Sequence, residues 1–218
     1  MPRRAAAFFD MDQTLLRVNS GSRWVAFLRE RGEVGLLFLL RSSVWLLKYK
    51  LSVLDMETLA RRLVADMAGS SESEMLDKAA IFWEREVRPA ISPEGQSAIA
   101  EHRARGHAVV LLTSATPYVA EPLARHLGLD EVLCTRLHVE DGRFVGTCDR
   151  PTCYGSGKVH HARRFAEAHD IDLAESYFYT DSFSDLPMLE RVGRPCAVNP
   201  DRRLRRHAER SGWPILRW

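Results

Sequence analysis

The chain has 218 residues, a formal net charge of +2 and 45% hydrophobic residues. That is enough apolar material for one compact domain with an insertion, or two small domains, and it argues against a disordered chain. A charge this close to neutral gives no global drive toward nucleic acid, and four cysteines without a CxxC pair exclude a zinc ribbon and a thioredoxin-like motif.

The start, Met1-Pro2-Arg3-Arg4, is basic and then apolar, but the apolar part ends after five residues at Asp10, short of a secretory h-region. Reduced thiols in the cytoplasm are therefore expected. Residues 5–9 read as a buried strand that stops abruptly at Asp10, Met11, Asp12, Gln13 and Thr14. Strand alternation would place Asp10 and Asp12 on one side, at the end where ligands bind in open α/β sheets. Two such carboxylates repel, and a cation or a shared proton must relieve them. One division of labour fits: Asp10 as nucleophile, Asp12 as general acid/base, and Mg²⁺ as counter-charge. The plainer reading is a strand end carrying solvated acids.

After Thr14 the pattern turns helical, with Trp24, Val25, Phe27 and Leu28 at helix spacing. Residues 34–54 are the most apolar stretch, broken by Arg41, Lys48 and Lys50. No uncharged run there approaches the roughly 20 residues of a membrane span. The stretch reads as one or two buried helices, with contact to a membrane surface as the lesser reading. Residues 55–68 form a further amphipathic pattern, and Ser70 or Ser71 can cap a helix running to Arg88. No strand signal occurs from about 17 to 91.

A helix over 94–105 stops at Gly106, and the apolar strand 108–112 ends in Thr113, Ser114 and Thr116. A helix over 118–127, a short strand near 132–135 and a hairpin with an Asp141-Gly142 turn follow. Lys158 opens a helix after Gly155-Ser156-Gly157. The strand 176–179 ends at Asp181 and Asp185. The strand 195–198 leads to Asn199-Pro200, which reads as the N-cap and first-turn proline of the last helix. Arg202, Arg203, Arg205, Arg206 and Arg210 make that helix basic, which suits a solvated face. His160 and His161 are adjacent on a helix and face different ways, so they read as structural. Strands alternating with helices predict an α/β fold: a Rossmann-like doubly wound, mostly parallel sheet formed by residues 1–16 and 92–218, with a helical cap inserted at 17–91.

Three strand ends thus carry polar clusters, and one lysine stands at a loop-to-helix junction. Acids for a metal, hydroxyls and amides for anionic oxygens, and a cation make an inventory suited to phosphoryl transfer. The order Asp10-x-Asp12-x-Thr14, an apolar strand ending in Ser114, Lys158, and then Asp181-Ser-Phe-Ser-Asp185-Leu-Pro resembles the motif set of the haloacid dehalogenase superfamily. The helical insertion resembles its type I cap, and residues 139–158 and 179–189 resemble the phosphoserine phosphatase-like branch.

The resemblance implies a phosphatase that hydrolyses a small phosphomonoester through an aspartyl-phosphate. A phosphotransferase with the same intermediate, a phospholipid head-group phosphatase and a non-catalytic binding module are the alternatives. By resemblance Asp10 is the nucleophile and Asp12 the acid/base. Asp10, Asp181 and the Asp12 carbonyl are the Mg²⁺ ligands, and Ser114, with Thr113 beside it, binds phosphate. Lys158 neutralises nucleophile and phosphate, while Thr14 and Asp185 give support. The branch carries a glutamate where this chain has Asn19, a substrate-binding position. A neutral amide there cannot balance a substrate ammonium, so L-phosphoserine is expected to be a poor substrate.

Overall fold

The computed structural model describes residues 4–33 and 56–218. The apolar stretch 34–54, with its expected helices and the membrane-surface reading, lies outside the described residues. Among the described residues no helix is long and apolar enough to cross a membrane.

Six strands form one parallel sheet. In chain order they are β1 (Ala6–Phe9), β2 (Ala108–Leu112), β3 (Glu131–Leu133), β6 (Tyr177–Thr180), β7 (Arg194–Val198) and β8 (Ile215–Leu216), arranged β3-β2-β1-β6-β7-β8. The chain leaves the central strand β1 to one side through β2 and later returns to its other side through β6. Phe9 pairs with both Leu111 and Tyr179, so the crevice at this reversal opens directly above Asp10.

Alternation sorts the strand residues into two cores. Ala7, Phe9, Val109, Leu111, Tyr179, Cys196 and Val198 face one side, and Ala6, Phe8, Ala108, Val110, Leu112, Phe178 and Ala197 face the other. The first side is covered by α1 (Ser20–Glu30), α4 (Pro93–Ala104) and α5 (Pro117–Leu127). The second is covered by α6 (Ser156–Ala168), the short α7 (Leu186–Leu189) and α8 (Arg202–Ser211). Nearly continuous burial on both faces explains why these strands read as plain apolar runs. All four cysteines are buried.

Between β1 and α4 the chain forms α1, α2 (Met56–Ala65) and α3 (Glu72–Phe82). Ser71 caps α3 by accepting from Glu74 N. Phe27 of α1 and Phe82 of α3 pack with ring centroids 5.5 Å apart, and Trp24 meets Phe82 edge-on at 5.0 Å. This segment leaves and rejoins the sheet side by side: Arg17 N donates to Ala90 O at 2.8 Å and Ser92 N to Leu15 O at 2.9 Å. It also touches the hairpin of β4 (Leu137–Glu140) and β5 (Arg143–Cys148). Gly69 N donates to Phe144 O, Phe144 N to Ser70 O, and Glu72 N to Gly142 O. Asp141 and Gly142 both have positive φ, 49° and 72°, as a tight two-residue turn requires.

The last helix begins differently from expectation. Asp201 is its N-cap, accepting from Arg203 N and Leu204 N, and Asn199 is turned into the left-handed region at φ 43°. Pro200 precedes the cap instead of opening the helix. β8, only two residues long, carries no readable sequence pattern.

Candidate active site

β1 ends at Phe9, so alternation does not carry Asp12 to the side of Asp10; a wide turn does. Asp10 is extended and its N–H donates to Tyr179 O at 2.9 Å. Asp12 is also extended, Gln13 is left-handed at φ 55°, and Leu16 N closes the turn on Met11 O. Met11, Thr14 and Leu15 are buried beneath it, and the Thr14 hydroxyl has no hydrogen-bond partner among the described residues.

Lys158 enters from the first turn of α6. Gly155 makes the approach at φ 52°, and Gly157 lies so close to the Thr152 carbonyl that a Cβ would stand 1.9 Å from its oxygen. The Lys158 ammonium, 2% exposed, donates to Asp10 Oδ1 at 2.6 Å and to Asp185 Oδ2 at 2.7 Å. Thr180 Oγ1 donates to the same Asp185 oxygen at 2.7 Å. Asp181 stands at the end of β6, where its carbonyl accepts from Asp201 N and the neighbouring Phe183 N donates to Asp201 Oδ2.

Two carboxylates, Asp10 and Asp185, thus share one ammonium, and the Asp181 carboxyl adds a third acid close enough to feel all three charges. Burial opposes the Lys158 charge, but Asp10 and Asp185 outweigh it, and its pKa is raised. Burial pushes Asp10 up to about 7, with Lys158 pulling down and Asp185 and Asp12 adding to the rise. Burial, then Asp10 and Asp185, push Asp181 up to about 8. Asp12 is also raised by burial, opposed by hydrogen bonds from Ser20 and by Lys158.

Asp12 has its own holders. Ser20 N donates to Oδ1 at 2.9 Å and Asn19 Nδ2 to Oδ2 at 3.3 Å. Asn19 Oδ1 accepts from Ser22 N at 2.9 Å and so caps α1. Both polar ends of Asn19 are therefore engaged within the protein. Of the hydroxyls after β2, Thr113 is buried and accepts from Ala115 N, while Ser114 is exposed. Thr116 is the α5 N-cap residue without a side-chain bond. His161 is bonded to Pro151 O, and its ring stands at 88° to that of His160. Sequence reasoning passed over Thr180, Ser20 and Asp201. Ser20 and Asp201 had a legible signal, since each stands at a helix start, but not a legible target.

The donor set suits Mg²⁺. Among the described residues no three His, Cys, Asp or Glu side chains converge on a metal position. Asp10 and Asp181 offer hard carboxylate oxygens, and the excess of acids over Lys158 calls for positive charge. Mg²⁺ takes one or two carboxylates and fills its remaining positions with water, carbonyl and phosphate oxygens.

Known proteins resemble this chain over nearly its whole length. A phosphoserine phosphatase of Mycobacterium tuberculosis is 34% identical over 218 residues, 97% of this chain and 70% of that one. A histidinol-phosphatase of Neisseria meningitidis is 27% identical over 215 residues, 96% of this chain and 97% of that one. A crystal structure of a protein of unknown function from Bordetella pertussis superposes with a TM-score of 0.90 at 30% identity, covering 98% of each chain. A family model matches residues 7–190, from β1 through the Asp181–Asp185 loop, and by that match this chain belongs to the haloacid dehalogenase-like hydrolases.

Proposed function

We propose that the chain is a Mg²⁺-dependent phosphomonoester hydrolase with Asp10 as nucleophile. The observation that carries this reading is the separation of two neighbouring carboxylates into two environments. Asp10 is bound to Lys158, and Asp12, two residues on, is held by Asn19 and Ser20 at the start of α1. Acids placed in different surroundings take different roles.

Lys158 engages Asp10 Oδ1, which leaves Oδ2 as the attacking oxygen. It bonds to phosphorus as the bond from phosphorus to the ester oxygen breaks. Asp12 gives the departing oxygen a proton, then takes one from the water that attacks the aspartyl-phosphate. Inorganic phosphate leaves and Asp10 is restored. Ser114 and the amides after β2 would take the phosphate oxygens, and Lys158 would offset their charge. Asp10, Asp181 and the Asp12 carbonyl would hold Mg²⁺, which when bound supplies counter-charge to the phosphate. The names of the relatives make L-phosphoserine and L-histidinol phosphate the first compounds to try.

The test is phosphate release from p-nitrophenyl phosphate, L-histidinol phosphate, L-phosphoserine and a wider panel, with Mg²⁺ and after chelation. Release with Mg²⁺ that chelation abolishes is expected. No release from any phosphomonoester overturns the reading.

A further inference from the structure

Asn199 lies just past β7 in the left-handed region, φ 43°. Few residues other than glycine adopt it, and asparagine is among those that do so most readily. Its side chain uses both amide hydrogens and its oxygen. Nδ2 donates to Gln13 O at 3.0 Å and to Trp218 O at 3.2 Å, and Oδ1 accepts from Trp218 N at 3.1 Å. Gln13, also left-handed, is the apex of the turn between Asp12 and Thr14. One side chain therefore ties the back of that turn to the chain beyond β8.

The far side of this tie is braced. The Trp218 ring stacks on Tyr179 with centroids 5.3 Å apart and lies 6.3 Å from Phe9, and Phe9 and Tyr179 stack on each other at 4.7 Å. Phe9 precedes Asp10, and the Tyr179 carbonyl receives the Asp10 N–H. Gly95 of α4 keeps the space open, since a Cβ there would stand 3.0 Å from Leu15 Cδ2 and 3.5 Å from Trp218. The residue at 199 must tolerate a positive φ and present two donors to two carbonyls. Aspartate has the shape without the donors, and serine is too short to reach both.

We propose that Asn199 is a positioning residue for the Asp10–Thr14 turn, with Trp218 as its brace. The inference rests on the reading of that turn as carrier of the nucleophile and the acid/base. Asn199 touches no reacting atom; it sets the main chain from which Asp12 projects.

Three variants test it: Asn199→Asp, which keeps the shape and sets an acceptor against both carbonyls; Asn199→Gly, which keeps the backbone freedom; and Trp218→Ala. Two measurements are made well below each melting temperature: steady-state kinetics on p-nitrophenyl phosphate with Mg²⁺, and the backbone amide signals of residues 12–14 in the metal-free protein. A displacement near 1 Å costs about a hundredfold, so kcat is expected to fall roughly tenfold to a hundredfold in both Asn199 variants, and in the same direction for Trp218→Ala. KM should stay within about threefold, and the amide signals of Asp12, Gln13 and Thr14 should move. An unchanged kcat with only a lower melting temperature, or a raised KM with unchanged kcat, overturns the proposal. If the unaltered chain hydrolyses no phosphomonoester, the functional reading fails, and the amide signals alone decide: unmoved signals overturn the positioning role. Should Asn199→Asp fail to fold, Asn199→Gly and Trp218→Ala carry the same criteria.

Discussion

Lys158 donates to Asp10 at 2.6 Å and to Asp185 at 2.7 Å, so one buried ammonium joins the end of β1 to the loop after β6. Breaking a buried pair by removing one partner leaves the other uncompensated and costs about 3–5 kcal/mol. Lys158→Met should therefore lower unfolding stability by that order, as well as stop turnover. Denaturant unfolding measures it. A loss below about 1 kcal/mol would show that the two acids do not depend on the lysine.

Asp10→Asn keeps size and can still accept from Lys158, but an amide supplies no attacking anion. The variant is expected to unfold at a temperature close to that of the unaltered chain and to release no phosphate. Clear residual hydrolysis, with contaminating phosphatase excluded, rules out a covalent step at Asp10.

Burial, then Asp10 and Asp185, push Asp181 up to about 8, and a bound cation would relieve that crowding of acids. Asp181→Asn should raise the Mg²⁺ concentration for half-maximal activity at least about tenfold, since one charged ligand is worth more than 1.4 kcal/mol. It should also shrink the thermal shift that Mg²⁺ gives the resting protein. An unchanged shift would remove Asp181 from the metal site. Ca²⁺, with longer and looser bonds, should fail to replace Mg²⁺.

Asn19 is neutral, and its two polar ends are spent on Asp12 and Ser22. L-Phosphoserine, whose ammonium needs a charged partner, is therefore expected to be a poor substrate, short of a charge-assisted bond of about 1.5–3 kcal/mol. Steady-state kinetics decides the point. A kcat/KM near or above about 10⁵ M⁻¹s⁻¹ would mean that another group recognises the amino acid.

His102 is 3% exposed and lies between Tyr179 OH and His107 Nδ1, each at 2.9 Å. Burial, then His107 and Arg105, lower its pKa to about 4. The unfolded chain therefore binds a proton that the folded one refuses. Above about 6.5 this costs nothing; as pH falls from there toward 4, stability is lost, up to about 3 kcal/mol. Denaturant unfolding at pH 7 and pH 4.5 should show a smaller difference for His102→Asn than for the unaltered chain. Equal differences would remove His102 as the source.

Much of this was legible in the residues themselves. Buried parallel strands need unbroken apolar runs, so residues 5–9 and 108–112 declared themselves, and each stopped where the polar clusters began. Asp-Gly at 141–142 allowed one kind of turn. Gly155 and Gly157 precede a lysine because only glycine permits the close loop behind it. These are local demands, and local demands leave marks in sequence.

What tertiary structure decided was which groups each polar residue meets. Asn199 looked like a helix cap because asparagine beside proline suits that place, yet its amide goes to Gln13 and Trp218, far away in the chain. Thr113, Ser114 and Thr116 were three equivalent hydroxyls until packing buried Thr113 against Ala115 and left Ser114 exposed. Asn19 carries no mark of its partners in the sequence, and the fold sets its amide against Asp12. The five longer strands of the sheet, the hairpin turn and the inventory of acids, hydroxyls and lysine could be read residue by residue, because backbone sterics and burial act on neighbours. Only the folded chain decided the pairing of Lys158 with Asp10 and Asp185 and of Asn199 with Gln13, because a hydrogen bond depends on distance in space, and a side chain of one type can serve many partners.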